Sequence, residues 1–187
     1  AFIVEDDLWL YDFTTQLSQR LTNDFGEVKH PQLSPCGRYI AFDANREGGT
    51  EAYVLDLDDG LPQKLTHTGA ICSVIGWQDS DTILVTGAFE QPFRQGCLYS
   101  VPRTGGDLTA IEVGPANAIS YGPEKNTMVI QRHGYGYPSW KRYQGGTCAE
   151  LWIKTDNQTP FQLFCKQNAN MIQPLWHNNR IYFISEV

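Results

Sequence analysis

The sequence predicts an all-β protein, a β-propeller of four-stranded antiparallel blades present as a partial propeller, and three observations predict it. A short strand with an aromatic at its second position occurs four times, in DDLWLYDF (6–13), EAYVLDLDDG (51–60), GCLYSVPRTGG (96–106) and AELWIKTDN (149–157). Its aromatics, Trp9, Tyr53, Tyr99 and Trp152, are spaced by about 44, 46 and 53 residues, the period of propeller blades. Strands such as Leu8 to Tyr11 and Leu151 to Ile153 are apolar at consecutive positions, which suits a sheet covered on both faces and not a half-solvated one.

The remaining elements fall in phase with these anchors. Ahead of each aromatic strand lies a second strand: Tyr39 to Phe42, Thr82 to Val85, Thr127 to Ile130, and Arg180 to Phe183. Polar turns precede them at Ser34 to Gly37, Gln78 to Asp81, Gly122 to Asn126 and His177 to Asn179, rich in the residues that supply fixed or positive φ. A short polar strand follows, clearest in QRLT (Gln19 to Thr22) and QKLT (Gln63 to Thr66). Each unit is therefore a meander of four short strands. The expected blades are 1–22 (partial), 27–66, 70–113, 116–164 and 171–187 (partial), three full blades in one domain. Phe2 to Val4 and Ile181 to Val187 supply the same inner strand twice, so an arc of a larger ring is expected. The alternative fold is a β-sandwich.

Composition agrees with a globular β protein: 41% of the residues are hydrophobic and 12% aromatic. A net charge of −7 argues against nucleic acid or an anionic membrane as partner, since both reward clustered Lys and Arg. No apolar run approaches the roughly 18 residues that cross a bilayer. The five cysteines form no CxxC or zinc pattern, so free buried thiols are expected and no metal or cofactor is called for. One pair, Cys148 and Cys165, lies almost symmetrically about the turn near Asn157, where hairpin pairing would bring the two opposite each other.

Catalytic signatures are missing from the sequence: there is no GxSxG, P-loop, HExxH or GxGxxG, and no catalytic residue is assigned. His30, His67, His133 and His177 fall in or beside predicted turns and are expected to be exposed and silent. Glu5 to Asp7 and Asp56 to Asp59 are assigned to turns as well, with Gly60 closing a hairpin. One stretch breaks the repeat. His133 to Gly146 is inserted before the last aromatic strand and, with Arg132, concentrates the cations Lys141 and Arg142 among Tyr135, Tyr137, Trp140 and Tyr143. Trp140, Lys141, Arg142 and Tyr143 are the candidate peptide-binding residues, by aromatic packing and by pairing a cation with a carboxylate. The alternative is that Trp140 and Tyr143 pack the insertion onto the rim while the cations only solvate it.

The stretch SPCGRYIAFDANREGGTEAYVLDLDDGLPQKLT resembles the repeat of TolB-type, WD40-like propellers, with Cys36 where Asp is usual. The combination of DDLWLYD, AFEQPFRQGCLYSVP, WKRYQGGTCAELWI and RIYFISE resembles the N-terminal, six-bladed propeller of the tricorn protease family and covers nearly the whole chain. The resemblance implies a non-catalytic part of a large serine peptidase, a hydrolase that assembles into hexamers. It would channel or filter peptides to or from a distant active site, with peptides and the remainder of the peptidase as its partners; the expected compartment is the cytoplasm, with the periplasm or export as alternatives. In that family an adjacent arginine pair is thought to anchor the peptide carboxylate; the matching region, roughly His67 to Ile75, is shorter and has no Arg, so a carboxylate contact is transferred only as an expectation, to Lys141 and Arg142. The competing expectations are a stand-alone TolB-like module that binds a protein or peptide, and the gating propeller of a prolyl-oligopeptidase-type enzyme.

Overall fold

The computed structural model describes residues 1–88, 96–124, 126–134, 145–165 and 169–185, and the regular elements among them are all β-strands in five antiparallel sheets. The first holds β1 (Phe2–Val4), β2 (Asp7–Asp12) and β3 (Leu17–Arg20). The second holds β4 (Glu27–Leu33), β5 (Tyr39–Asn45), β6 (Glu51–Asp56) and β7 (Pro62–Lys64). The third holds β8 (Cys72–Trp77), β9 (Thr82–Gly87), β10 (Cys97–Pro102) and β11 (Thr109–Ala110). The fourth holds β12 (Ala118–Tyr121), β13 (Met128–Arg132), β14 (Glu150–Lys154) and β15 (Gln162–Leu163), and β16 (Met171–His177) pairs with β17 (Arg180–Ser185). Each sheet is a plain meander, which is the construction of a propeller blade. Among the described residues no helix is long and apolar enough to cross a membrane.

The chain divides into two compact units, residues 1–95 with 99–111, and residues 96–98 with 112–187. In the first, the register pairs Phe2 with Trp9 and Phe42 with Tyr53, so the repeat aromatics occupy equivalent places in their sheets. Burial runs through consecutive residues of β5 and β6 and vanishes in β3, as covered central strands and a solvated outer strand require. Leu8, Val28, Ile40, Phe42, Tyr53 and Leu55 form the core together with Phe25, whose ring meets those of Phe42 and Tyr53 edge-on at 5.8 and 5.1 Å. Phe42 is fully buried, and truncating such a ring to Ala costs about 3–5 kcal/mol. In the second unit Ile130 pairs with Trp152, and Val129, Leu151 and Met171 are packed by Phe164, Trp176, Ile181 and Phe183.

A backbone hydrogen bond recurs in phase with the repeat. The carbonyl just ahead of each aromatic strand accepts an N–H from a residue about twenty positions on, in the same unit: Asp6 from Val28 (3.2 Å) and Thr50 from Cys72 (2.9 Å) in the first, Gly96 from Ala116 (2.8 Å) and Ala149 from Met171 (3.0 Å) in the second. These carbonyls and amides would otherwise be orphaned beside the strand ends.

Candidate functional site

Two staples follow from the LT that ends QRLT and QKLT. Thr22 Oγ1 accepts the Leu8 N–H at 2.8 Å and donates to Asp7 Oδ1 at 2.8 Å. Thr66 Oγ1 accepts the Ala52 N–H at 2.9 Å and donates to Glu51 Oε2 at 2.6 Å. Glu51 also accepts from Thr68 Oγ1 (3.1 Å) and Gly69 N–H (2.8 Å), and Asp7 from Arg20. Burial pushes both carboxyls up, yet the hydrogen bonds to the ionised form outweigh it and both are held below their ordinary values. Asp7 was expected in a turn. It is buried at the start of β2 instead, because the register sets it opposite Val4 and aims it at Thr22, while Glu5 and Asp6, at φ 48° and 64°, make the turn.

The first strands of two sheets share a second device. In β4 the residues His30 and Pro31 bulge opposite Phe42 alone, and in β16 Gln173 and Pro174 bulge opposite Phe183. A proline has no N–H to give to the ladder, so a bulge is where a strand admits one. In both the residue before the proline has positive φ, 48° at His30 and 53° at Gln173. His30 was expected to be silent. Its side chain is half exposed, but Nδ1 lies 2.9 Å from Oδ1 of Asp43, which is 1% exposed, and that oxygen also accepts the Val74 N–H of β8 at 3.0 Å. The hydrogen bond to Asp43 raises the His30 pKa above its ordinary value, against the opposing effect of burial. In the second unit Gln131, one residue after the β13 partner of Trp152 as Asp43 is one after the partner of Tyr53, accepts the Gln173 N–H at 3.0 Å.

The expected peptide-binding residues Trp140, Lys141, Arg142 and Tyr143 lie outside the described residues. The stem of their insertion is described. His133 and Gly134 both take positive φ, and the His133 carbonyl accepts the side-chain amides of Asn117 (2.6 Å) and Gln131 (3.3 Å). Gly134 N–H donates to Thr147 O at 3.1 Å, and Cys148 N–H to Gly145 O at 3.0 Å. Arg132 donates to Val113 O at 3.3 Å, with its guanidinium 5.3 Å from the Trp152 ring centre. The two ends of the insertion are therefore fixed to one frame of backbone and amide hydrogen bonds.

The other candidates are bland. His67, His133 and His177 are exposed, and none of the five cysteines is in a disulfide, with Cys72 buried, Cys36 exposed and the rest between. The expectation of uniformly buried thiols holds only for Cys72. Cys165 Sγ meets Met171 Sδ at 3.3 Å and forms no disulfide with Cys148. An acidic cavity of ≈ 310 Å³ lies beside the first sheet, between Asp6, Asp7, Asp24 and Glu27. No group of three His, Cys, Asp or Glu among the described residues is placed to hold a metal ion.

The family described as tricorn protease N-terminal beta propeller domain matches residues 1–187, the whole chain. The chain belongs to this family. Tricorn protease homolog 1 of Streptomyces coelicolor is 32% identical over 189 residues, which take in all of this chain and 18% of that protein. A putative tricorn-like protease N-terminal subunit of Sulfurisphaera tokodaii is 31% identical over 162 residues, 83% of this chain and 81% of its own length. A crystal structure of the tricorn protease superposes with a TM-score of 0.86 at 25% identity over 97% of this chain and 19% of that one. The tricorn resemblance carried by the sequence motifs and the all-β propeller fold are both borne out. The chain thus spans less than a fifth of the first of these relatives.

Proposed function

We propose that this chain is a non-catalytic propeller segment of a tricorn-like serine peptidase that channels or filters peptides toward or from an active site carried elsewhere. The observation that carries this is the match of the entire chain to the N-terminal propeller of that family. The Sulfurisphaera tokodaii relative, described as an N-terminal subunit and covered over 81% of its length, supports a role separable from cleavage. The partners in this reading are peptides and the remainder of the peptidase, assembled as a hexamer, and the compartment is the cytoplasm, where free thiols persist. Lys141 and Arg142 pair with the carboxylate of a passing peptide while Trp140 and Tyr143 pack against its side chains.

The test compares the parent peptidase with and without this segment. Removal should change which peptide lengths are turned over while leaving a minimal fluorogenic substrate cleaved at its former rate, and the isolated segment should cleave nothing. Peptide cleavage by the isolated segment, or an unaltered length profile after its removal, overturns the proposal. Replacement of Lys141 and Arg142 together by Ala should raise KM for peptides with a free C-terminus and leave amidated ones unaffected.

A further inference from the structure

We propose that His30 and Asp43 form a proton-operated clamp on the seam between β4 and β8, closed while the imidazole is charged and loosened when it is neutral. Asp43 is the centre of the device. Its carboxylate is buried, is held on one side by His30 Nδ1 at 2.9 and 3.2 Å, and on the other accepts the Val74 N–H at 3.0 Å. One side chain thus fastens the β4 bulge and the next sheet's first strand to β5. A buried carboxylate is stable when a cation compensates it, and removing one partner of such a pair is costly because the other stays behind as an unpaired buried charge. His30 is the charged partner that Asp43 has among the described residues, and it is the side chain able to lose that charge near neutral pH. Deprotonation of His30 removes the cation that faces the buried Asp43 side chain, and admitting water there in its place requires the β4 bulge to move off β5 and β8.

The surroundings leave this titration to the pair. On β4, Lys29 opposes protonation of His30 and is itself bound by Glu27 at 2.6 Å. β5 adds Tyr39, at the opposite end of the strand beneath Arg103. β8 brings the Cys72 thiol, pushed up to about 12 by burial and therefore uncharged. β6 brings Glu51, taken up by Thr66, Thr68 and Gly69, Tyr53, whose phenol burial pushes up and so keeps uncharged, and Asp56, bound by Arg38. β1 has no ionisable side chain, and β2 brings Asp7, taken up by Arg20 and Thr22, Tyr11, set edge-on against Phe13, and Asp12, bound to Thr14 N–H. The chain also contains its own reference: Gln131 makes the corresponding bond to Gln173 N–H with a side chain that does not titrate.

The test is hydrogen exchange in the full chain, comparing the segments that carry Val74 and Gln173 from about pH 5.5 to 8.5 after correction for the intrinsic rate of exchange. The exchange of Val74 relative to Gln173 should rise severalfold across that range in the unmodified protein. It should stay flat in Asp43→Asn, which keeps the acceptor for Val74 but not the charge, and in His30→Gln. A constant ratio in the unmodified protein, or an equal rise in either variant, overturns the clamp. Should His30→Gln fail to fold, the imidazole titration of the unmodified protein decides together with Asp43→Asn: a His30 pKa at or below about 6.5 overturns it. No peptide enters the experiment, so its outcome is independent of the peptide-handling role.

Discussion

Thr66 stands between Ala52 and Glu51, accepting the backbone N–H of one and donating to the buried carboxylate of the other. Thr22 stands in the same way between Leu8 and Asp7. The hydroxyl is the one group that serves both neighbours at once, since it donates and accepts. Thr66→Val keeps the shape and strands a buried N–H beside a buried carboxylate. At ~1–3 kcal/mol per orphaned buried group, it should lower the free energy of unfolding by about 2 kcal/mol or more in urea denaturation. Thr66→Ser should stay within about 1 kcal/mol of the parent. Equal stability of the Val and Ser variants would show that the staple is ornamental.

The same staples set the response to acid. Glu51 and Asp7 have folded pKa values below their ordinary 4.5 and 3.8, so their contributions are complete above those ordinary values and disappear as pH falls through the folded ones. The unfolding midpoint should therefore fall as the medium is acidified below about pH 4.5. Glu51→Gln, which cannot ionise, should be less stable at neutral pH and should show a shallower decline. Parallel declines for the parent and Glu51→Gln in thermal melts across the acid range would contradict this.

What the sequence makes legible here is whatever repeats. Trp9, Tyr53 and Trp152 hold equivalent places because blades are copies of one meander, and the Thr of QRLT and QKLT lands on a carboxylate twice for the same reason. Asp7 was hidden by its neighbours: three carboxylates in a row look like a turn, and only the register separates the two that turn from the one that is buried. His30 and Asp43 were hidden by separation. They stand thirteen positions apart, and a two-residue bulge is needed to swing the imidazole onto β5. A signal did exist in the chain, since His30-Pro31 and Gln173-Pro174 each put a proline inside a first strand, where a ladder without a bulge has no use for it. The insertion was legible as a break in the period, but its cations have no counterpart in the other blades from which a role can be transferred.

Thiol chemistry should sort the cysteines by environment. Cys36 is exposed in the Ser34 to Gly37 turn, and its pKa is lowered by the Ser34 hydroxyl at 3.3 Å and by the Arg38 N–H, whereas burial drives that of Cys72 to about 12. The thiolate is the nucleophile, so iodoacetamide under native conditions should alkylate Cys36 first and Cys72 last. Peptide mass spectrometry over a time course reads the order directly. Early modification of Cys72 would mean that the seam around β8 opens far more readily than its packing implies.

Gly134 ties the stem of the insertion to the rest of its sheet, and the reason it is glycine is geometric. Its φ is +82°, and a Cβ there would sit 2.8 Å from the Ala149 Cβ and 3.1 Å from Gln131 Nε2, in the amide cluster that holds the His133 carbonyl. Gly146, at the far end of the insertion, has nothing within 4 Å of an added Cβ and carries no positive φ. Gly134→Ala should therefore cost about 1–3 kcal/mol through strained backbone and displaced neighbours, while Gly146→Ala should fall within about 0.5 kcal/mol of the parent. If the insertion handles peptides, the two variants separate a strained position of the stem from an open one: Gly134→Ala should weaken peptide retention along with stability, and Gly146→Ala should alter neither. A Gly134→Ala protein as stable as the parent would show that Ala149 yields easily and that the stem is not the rigid frame its hydrogen bonds describe.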